Sequence, residues 1–356
     1  GWACAAPWQP RTGPLLVAFL AVWLAVQAYS LILLWRYSGS TRGVVPGALS
    51  RLRLVRWAIL IQAAAGLAAA IAAGLGYAGP SVFSAGSVVA AVVVATALAR
   101  ERIDADREKQ RIQRELELAS RIQRRLLPQQ GLSMPGFDAA GWSRPADQAG
   151  GDTYDLFPLP NEQWMITLAD ASGHGIGPAL IISETRAMLR AFGTRCDNAV
   201  DVLHEARRLL TVDLSEGHFV TCFLGLLDTP GGARSYASAG QGPIIFYDRQ
   251  ADEFHTEDAT HLPLPLVSPL EADSPPALRR RQFRSGDLLV LASDGFWEAL
   301  DAKGRQFGIQ RLLDVLHRAR RLGAREIIDL CRQEIDRFVH PTRQLDDLTM
   351  VVLRKH

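Results

Sequence analysis

The sequence predicts an α+β domain with largely antiparallel sheets, set behind an apolar N-terminal third. Three observations predict it. Strand-like runs come in consecutive groups, 153–159 with 163–170 and then 219–227, 233–238 and 243–248, not in the strand–helix alternation that builds parallel sheets. Helical periodicities fall between and after these groups, at about 177–193, 197–215, 308–320 and 324–339, with two more strand runs at 287–293 and 348–354. Charge-free stretches 12–35 and 57–99 are confined to the start of the 356-residue chain.

The chain opens on Gly1 rather than Met, which leaves room for sequence upstream. Crossing a bilayer takes about 20 apolar residues. The first charge-free run fits one span. The second is about twice that length and breaks at Gly79-Pro80-Ser81, which predicts three transmembrane helices at 14–35, 57–78 and 82–99 within a membrane region 1–99. A cleaved signal peptide does not account for the second run, and no A-x-A-like site follows the first. The loop 36–56 holds Arg36, Arg42, Arg51, Arg53 and Arg56 and no acid. The positive-inside rule places it in the cytoplasm, with the N-terminus outside and everything after Ala99 cytoplasmic, as in a multi-pass protein of the cell membrane. The spans carry no Asp, Glu, Lys, Arg or His and so give no sign of a proton or ion pathway.

From Arg100 the composition turns charged and helical. Ile112, Leu116, Ala119, Ile122 and Leu126 recur on one stripe, and Pro128 ends the pattern. This linker, 100–130, has two readings: a spacer packed on the next domain, or a dimerising helix 100–127 that makes a homodimer. Residues 131–356 form the last domain. The net charge of +2 gives no sign of a nucleic-acid partner. Arg279-Arg280-Arg281 lacks the interleaved aromatics of a nucleic-acid groove and reads as a solvated or partner-facing run. Cys4, Cys196, Cys222 and Cys331 have no metal or disulfide spacing.

The chemistry sits where strands end. In WMITLADASGHGIGPAL (164–180) an apolar run delivers Asp170 to a small-residue turn. Asp152 follows Gly150-Gly151, Asp294 ends DLLVLASD, and Asp346-Asp347 precede LTMVVLR. A single acid at a strand end is commonly a turn former or a cap. Four such stretches are different. Converging buried carboxylates repel and take up protons unless cations neutralise them. Hard divalent cations, Mg²⁺ or Mn²⁺, suit an all-oxygen donor set. The neighbouring Gly151, Gly173, Gly175 and Gly295 leave room for close approach.

GGDTYDLF, LADASGHGIGPAL, FVTCFLGLLD, YASAGQGP, LLVLASDGFWEA and DDLTMVVLR occur in the order found in metal-dependent protein phosphatases of the PPM (2C-like) family. The chain most resembles the SpoIIE/RsbU branch, over about residues 115–354, and LELASRIQRRLLP resembles that branch's helical linker. The resemblance implies a PPM-type β-sandwich flanked by helices, with two metal ions, Mn²⁺ or Mg²⁺, at one edge. It implies that Asp170 bridges both ions, that the Ala171 backbone carbonyl and Asp152 serve one, and that Asp294 and Asp346, with Asp347 as the alternative to Asp346, hold the other. Hydrolysis would then be direct attack of a metal-activated water on phosphoserine or phosphothreonine. His174 is a candidate general acid, with a loop-structuring role as the alternative. Arg144 is a candidate phosphate contact, with an ordinary surface arginine as the alternative.

The branch further implies a phosphorylated anti-sigma-factor antagonist of STAS fold as substrate, in partner-switching signalling. Two positions depart from the pattern. Gln241 stands where the branch usually carries histidine, and Thr153 where an aromatic is common. The competing reading is a catalytically silent PPM-fold adaptor that binds its partner without turnover. All four acidic stretches are intact, which weighs against it.

Overall fold

The computed structural model describes residues 57, 59–68, 71, 81–128, 133–147, 149–160, 162–173, 175–214, 217–229, 232–266 and 277–356. The chain divides into two compact units, Gly1–Ile112 and Gln113–His356. In the first, the described residues are helical. The predicted span 14–35 lies outside the described residues, as do most of 69–78. The predicted span 82–99 and the linker helix are one uninterrupted helix, α1 (Ser81–Leu126). Among the described residues no helix is long and apolar enough to cross a membrane.

The second unit is built on two five-stranded antiparallel sheets. One has the order β1 (Phe137–Arg144), β10 (Leu348–Lys355), β9 (Leu288–Ala292), β6 (Ile244–Asp248), β7 (Glu253–Glu257). The other runs β2 (Asp152–Pro158), β3 (Gln163–Ala171), β4 (Val220–Asp228), β5 (Ala233–Ala239), β8 (Arg279–Gln282). Alternation along the strands explains why they stack. In β3, Trp164, Ile166 and Leu168 join Phe223, Phe246, Leu289, Val351 and Leu353 in a core between the sheets. The intervening Met165, Ala169 and Ala171 face outward against α2 (Ile176–Gly193) and α3 (Ala199–Asp213). In β10, Met350 and Val352 face outward against α5 (Ile309–Ala319) and α6 (Ala324–Val339). A short helix, α4 (Gly295–Glu298), follows β9. Both faces of each sheet are therefore covered, which is why the strands read as apolar runs instead of half-polar alternations.

Three strands escape the sequence pattern. β1, FDAAGWSR, lacks β-branched residues and holds its place by pairing along its whole length with β10. β7 and β8 are polar edge strands. The arginine run at 279–281 is part of β8: Arg279 and Arg280 are exposed, and Arg281 pairs with Glu257 at 3.0 Å. Charged side chains on an exposed edge discourage pairing with another chain.

One buried charge cluster ties a helix to the second sheet. Asp155 of β2 is 1% exposed, and its two oxygens accept from Arg190 of α2 at 2.5 and 2.9 Å, with Arg186 at 3.1 Å. Burial lowers the Arg186 pKa, and the Asp155 charge opposes that shift. Removing the acid would leave Arg186 buried without its counter-charge. Asp155→Asn is expected to cost about 3 kcal/mol of unfolding free energy, measured as a fall in the urea midpoint at unchanged slope. A cost below about 0.5 kcal/mol, the range of ordinary surface substitutions, would show that the cluster does not hold α2.

Candidate metal centre

Two sheet edges bring the acids together. Across β2 and β3 the register pairs Asp152 directly with Asp170. Like charges placed opposite one another are unfavourable, so ordinary strand pairing does not account for this pair. Ala171 N donates to the Gly151 carbonyl at 3.0 Å and closes that end of the ladder. In the other sheet β9 and β10 pair up to Ala292 and Met350. Beyond them Ser293 acts as a staple: its N–H donates to the Thr349 carbonyl at 2.9 Å, its Oγ accepts from Thr349 N at 2.9 Å, and its hydroxyl donates to the Asp347 carbonyl at 3.2 Å. The chain turns into α4 at Asp294 while Asp346 and Asp347 arrive before β10. A Cβ at Gly295 would sit 2.1 Å from the Asp347 carbonyl oxygen, so only glycine permits this approach.

The electrostatics record the convergence. Asp152 is 5% exposed, and its pKa is raised well above the usual carboxylate range by burial and then by Asp170 and Asp347. Its Oδ2 is buried with no hydrogen-bond partner. Asp170 is pushed up to about 7 by burial, then by Asp294 and Asp346. Asp294 is pushed up to about 6 by burial, then by Asp346 and Glu298. Asp152, Asp170, Asp294, Asp346 and Asp347, from four segments, thus act on one another's charge, with Glu298 beside Asp294.

The two neighbouring acids before β10 differ. Asp347 is buried and already engaged: Oδ1 accepts from Ala146 N at 2.7 Å and Oδ2 from Asp152 N at 3.3 Å. Asp346 is exposed, with one oxygen accepting from Asp347 N at 2.8 Å. Among the described residues no group of three or more His, Cys, Asp or Glu is already arranged to hold a metal ion. The donor chemistry nonetheless fits one: all oxygen, mutually repelling, with an orphaned buried carboxylate oxygen.

His174 lies outside the described residues. Arg144, at the end of β1, is held sideways: Nε donates to Gln344 Oε1 at 2.6 Å and a terminal nitrogen pairs with Asp336 at 2.7 Å. With Asp346, Gly295, Arg343, Leu300 and Val339 it lines a cavity of about 250 Å³. Gln241 is buried and bridges the sheets, accepting from Thr221 Oγ1 at 2.8 Å and donating to the Ala292 carbonyl at 3.1 Å. The residue in the place of the branch's histidine is therefore a structural tie. Sequence reasoning missed this tie, the Ser293 staple and the Asp347 clamp. The DD pair and ASDG carried the only signal, because the partners are remote in the chain.

A family model described as Stage II sporulation protein E (SpoIIE) matches residues 160–356, more than half of the chain. The chain belongs to the SpoIIE family. Protein IcfG of Synechocystis sp. is 26% identical over 274 residues, covering 68% of this chain but 42% of that protein, so the chain spans under half of that relative's length. Phosphoserine phosphatase RsbU of Bacillus subtilis is 27% identical over 251 residues, 69% of this chain and 72% of RsbU. Among solved structures, the SiaA-PP2C domain of Pseudomonas aeruginosa superposes with a TM-score of 0.61 at 22% identity, over 70% of this chain and 99% of that one. The PP2C phosphatase domain of SpoIIE from B. subtilis, solved with a fragment of its regulatory domain, gives 0.54 at 19%, over 61% and 62%. These likenesses establish the PPM-like α+β fold.

Two measurements check this geometry. Gln241→Ala leaves the buried Thr221 hydroxyl and Ala292 carbonyl without their partner and should cost about 1–3 kcal/mol of stability, read by urea denaturation. The metal-free protein should also show inverted pH behaviour. Asp170 and Asp294 have folded pKa values of about 7 and 6, above the unfolded value of about 3.9. Between those limits the folded state binds more protons than the unfolded one, so stability rises as pH falls. The melting temperature in chelator should be higher at pH 6 than at pH 8. The opposite order would show that these acids ionise freely.

Proposed function

We propose that this chain is a membrane-anchored, metal-dependent serine/threonine protein phosphatase. The observation that carries the reading is the cluster of Asp152, Asp170, Asp294 and Asp346 at one sandwich edge, with the Asp152 oxygen buried and unpartnered. In this reading Asp170 serves two Mn²⁺ or Mg²⁺ ions, the Ala171 carbonyl and Asp152 serve one of them, and Asp294 and Asp346 serve the other. Asp346 is preferred to Asp347 because the Asp347 carboxylate is taken up by backbone amides. When bound, such ions lower the pKa of a water and offset charge on the transferring phosphoryl group. The chain's own part is to hold that oxygen cage rigid through Ser293, Asp347 and Gln241, and to offer the cavity beside Asp346 to the phosphorylated segment. His174 remains the candidate proton donor to the leaving hydroxyl.

The similarity to RsbU, a phosphoserine phosphatase, supports phosphoserine on a protein as the substrate. A STAS-fold anti-sigma-factor antagonist is the partner this branch favours. Anchoring rests on the charge-free runs: spans 14–35, 57–78 and 82–99 in region 1–99, a linker 100–130 and a cytoplasmic phosphatase domain 131–356, with the N-terminus outside. Dimerisation through 100–127 is supported by apolar residues that α1 leaves exposed, Ile112, Leu118, Ile122 and Leu126.

The test is phosphate release from a phosphoserine STAS-type protein by the full chain in detergent. Release should need Mn²⁺ or Mg²⁺ and fall to background in Asp170→Asn. Tight partner binding with no release at any metal concentration would favour the adaptor instead.

A further inference from the structure

The loop between α6 and β10 carries a large apolar side chain into solvent beside the acidic edge. Leu345 is 68% exposed and immediately precedes Asp346. A lone exposed leucine is ordinary on a protein surface. This one differs in two respects. Its loop is held on either side of it. The Gln344 amide nitrogen donates to the Arg144 carbonyl at 2.9 Å and to the Asp346 carbonyl at 2.7 Å, while its oxygen accepts from Arg144 Nε at 2.6 Å. Asp347 N then donates to Asp346 Oδ1 at 2.8 Å. Earlier in the loop, Thr342 Oγ1 donates to the Leu300 carbonyl at 3.2 Å, and Arg343 reaches Asp147 at 2.7 Å. Leu345 also has apolar company. With Leu300 and Val339, both half-buried, it lines the cavity to which Asp346 and Gly295 of the acidic edge contribute.

The charged groups around this cavity are engaged elsewhere. Arg144 and Arg343 pair with Asp336 and Asp147, and Glu298 acts on Asp294. The surface left to a ligand is apolar. Chain geometry names the occupant. Leu345 and Asp346 are neighbours, with Cα atoms about 3.8 Å apart. A phosphoserine held at the acidic edge is part of a polypeptide, and three extended residues span about 10 Å. The residues flanking that phosphoserine are therefore the groups within reach of the cavity.

We infer that Leu345, with Leu300 and Val339, forms a specificity subsite that takes an apolar side chain within about three residues of the substrate phosphoserine. The inference rests on the phosphatase reading of the acidic edge. Leu345 touches no reacting atom. It acts by taking its own surface and the substrate's out of water, on a loop already fixed before binding. Its signature is discrimination between a phosphoprotein and a small phosphate ester that does not extend to the cavity.

Four full-length proteins in detergent with Mn²⁺ test this: wild type, Leu345→Ser, Leu345→Met, and Leu322→Ser, a control at an exposed leucine between α5 and α6. Each is assayed on p-nitrophenyl phosphate and on the phosphoserine STAS-type protein, and its molar mass is measured by light scattering. Leu345→Ser should raise KM for the phosphoprotein by about 10-fold or more, the worth of one leucine side chain taken out of water. Its kcat/KM for p-nitrophenyl phosphate should equal that of wild type. Leu345→Met, apolar and of similar volume, should recover the wild-type KM, and Leu322→Ser should match wild type throughout. Wild-type kinetics of Leu345→Ser on both substrates overturns the subsite and leaves the phosphatase reading intact. An equal loss on both substrates also overturns it, because the effect would then lie at the acidic edge itself. A fall in molar mass with unchanged phosphoprotein KM overturns it by showing that a second copy of this chain covers Leu345. Failure of wild type to hydrolyse either substrate overturns the subsite and the phosphatase reading together.

Discussion

Repulsion among carboxylates is the constraint around which the rest of this domain is arranged. The strand register sets Asp152 opposite Asp170, and the turn after β9 brings Asp294 into the same field as Asp346. Burial raises the cost of each charge, and each charge raises the pKa of the next. A fold that must only be stable has simpler uses for strand ends. Arg144 and Arg343 line the cavity beside Asp346, but their ion pairs are with Asp336 and Asp147, outside the cluster. Protons relieve such repulsion in the metal-free protein, and hard cations are the ligands that match an all-oxygen set.

Such a cluster persists only if its backbone is held by something other than Asp152, Asp170, Asp294 and Asp346. Three polar ties do this. Ser293 fastens β9 to β10 where the ladder ends, Asp347 collects the amides of Ala146 and Asp152, and Gln241 links Thr221 of one sheet to Ala292 of the other. Thr221 is the register partner of Asp170, and Ala292 stands two residues before Asp294, so Gln241 spans the two halves of the acidic edge. Position 241 thus works as an internal brace. That explains how it can depart from histidine with every acidic stretch intact.

The parts of the fold that were legible in the sequence are those whose signal is local. Strands covered on both faces read as apolar runs, and helices α2, α3, α5 and α6 showed their period within a residue or two of their ends. Asp152, Asp170 and Asp294 stood out because each interrupts an apolar run beside glycine. What was hidden depends on pairs distant in the chain. β1 is a strand only because β10 lies beside it, over two hundred positions later. The difference between Asp346 and Asp347 rests on amides of Ala146 and Asp152, which nothing in DDLTM encodes. The linker stripe was half legible: Leu116 and Ala119 are partly covered, but Ile112, Ile122 and Leu126 are exposed. Hydrophobic periodicity finds the apolar face, whereas Ser120 and Gln123 are on the buried or part-buried side.

The covered side of the helix end is therefore mixed, with Leu116 and Ala119 beside Ser120 and Gln123. A helix docked through an apolar stripe can slide by small steps, because dispersion contacts are individually weak and non-directional. The Gln123 amide donates to the Gly150 carbonyl at 2.6 Å, and such a bond is directional: hydrogen bonds weaken steeply with angle. A helix turns by about 100° per residue, so a rotation of one position carries Gln123 away from Gly150 completely. Leu127, just past α1, packs on the core between the sheets while Ile112, Leu118, Ile122 and Leu126 stay exposed, so apolar and polar contacts together hold the end of the helix.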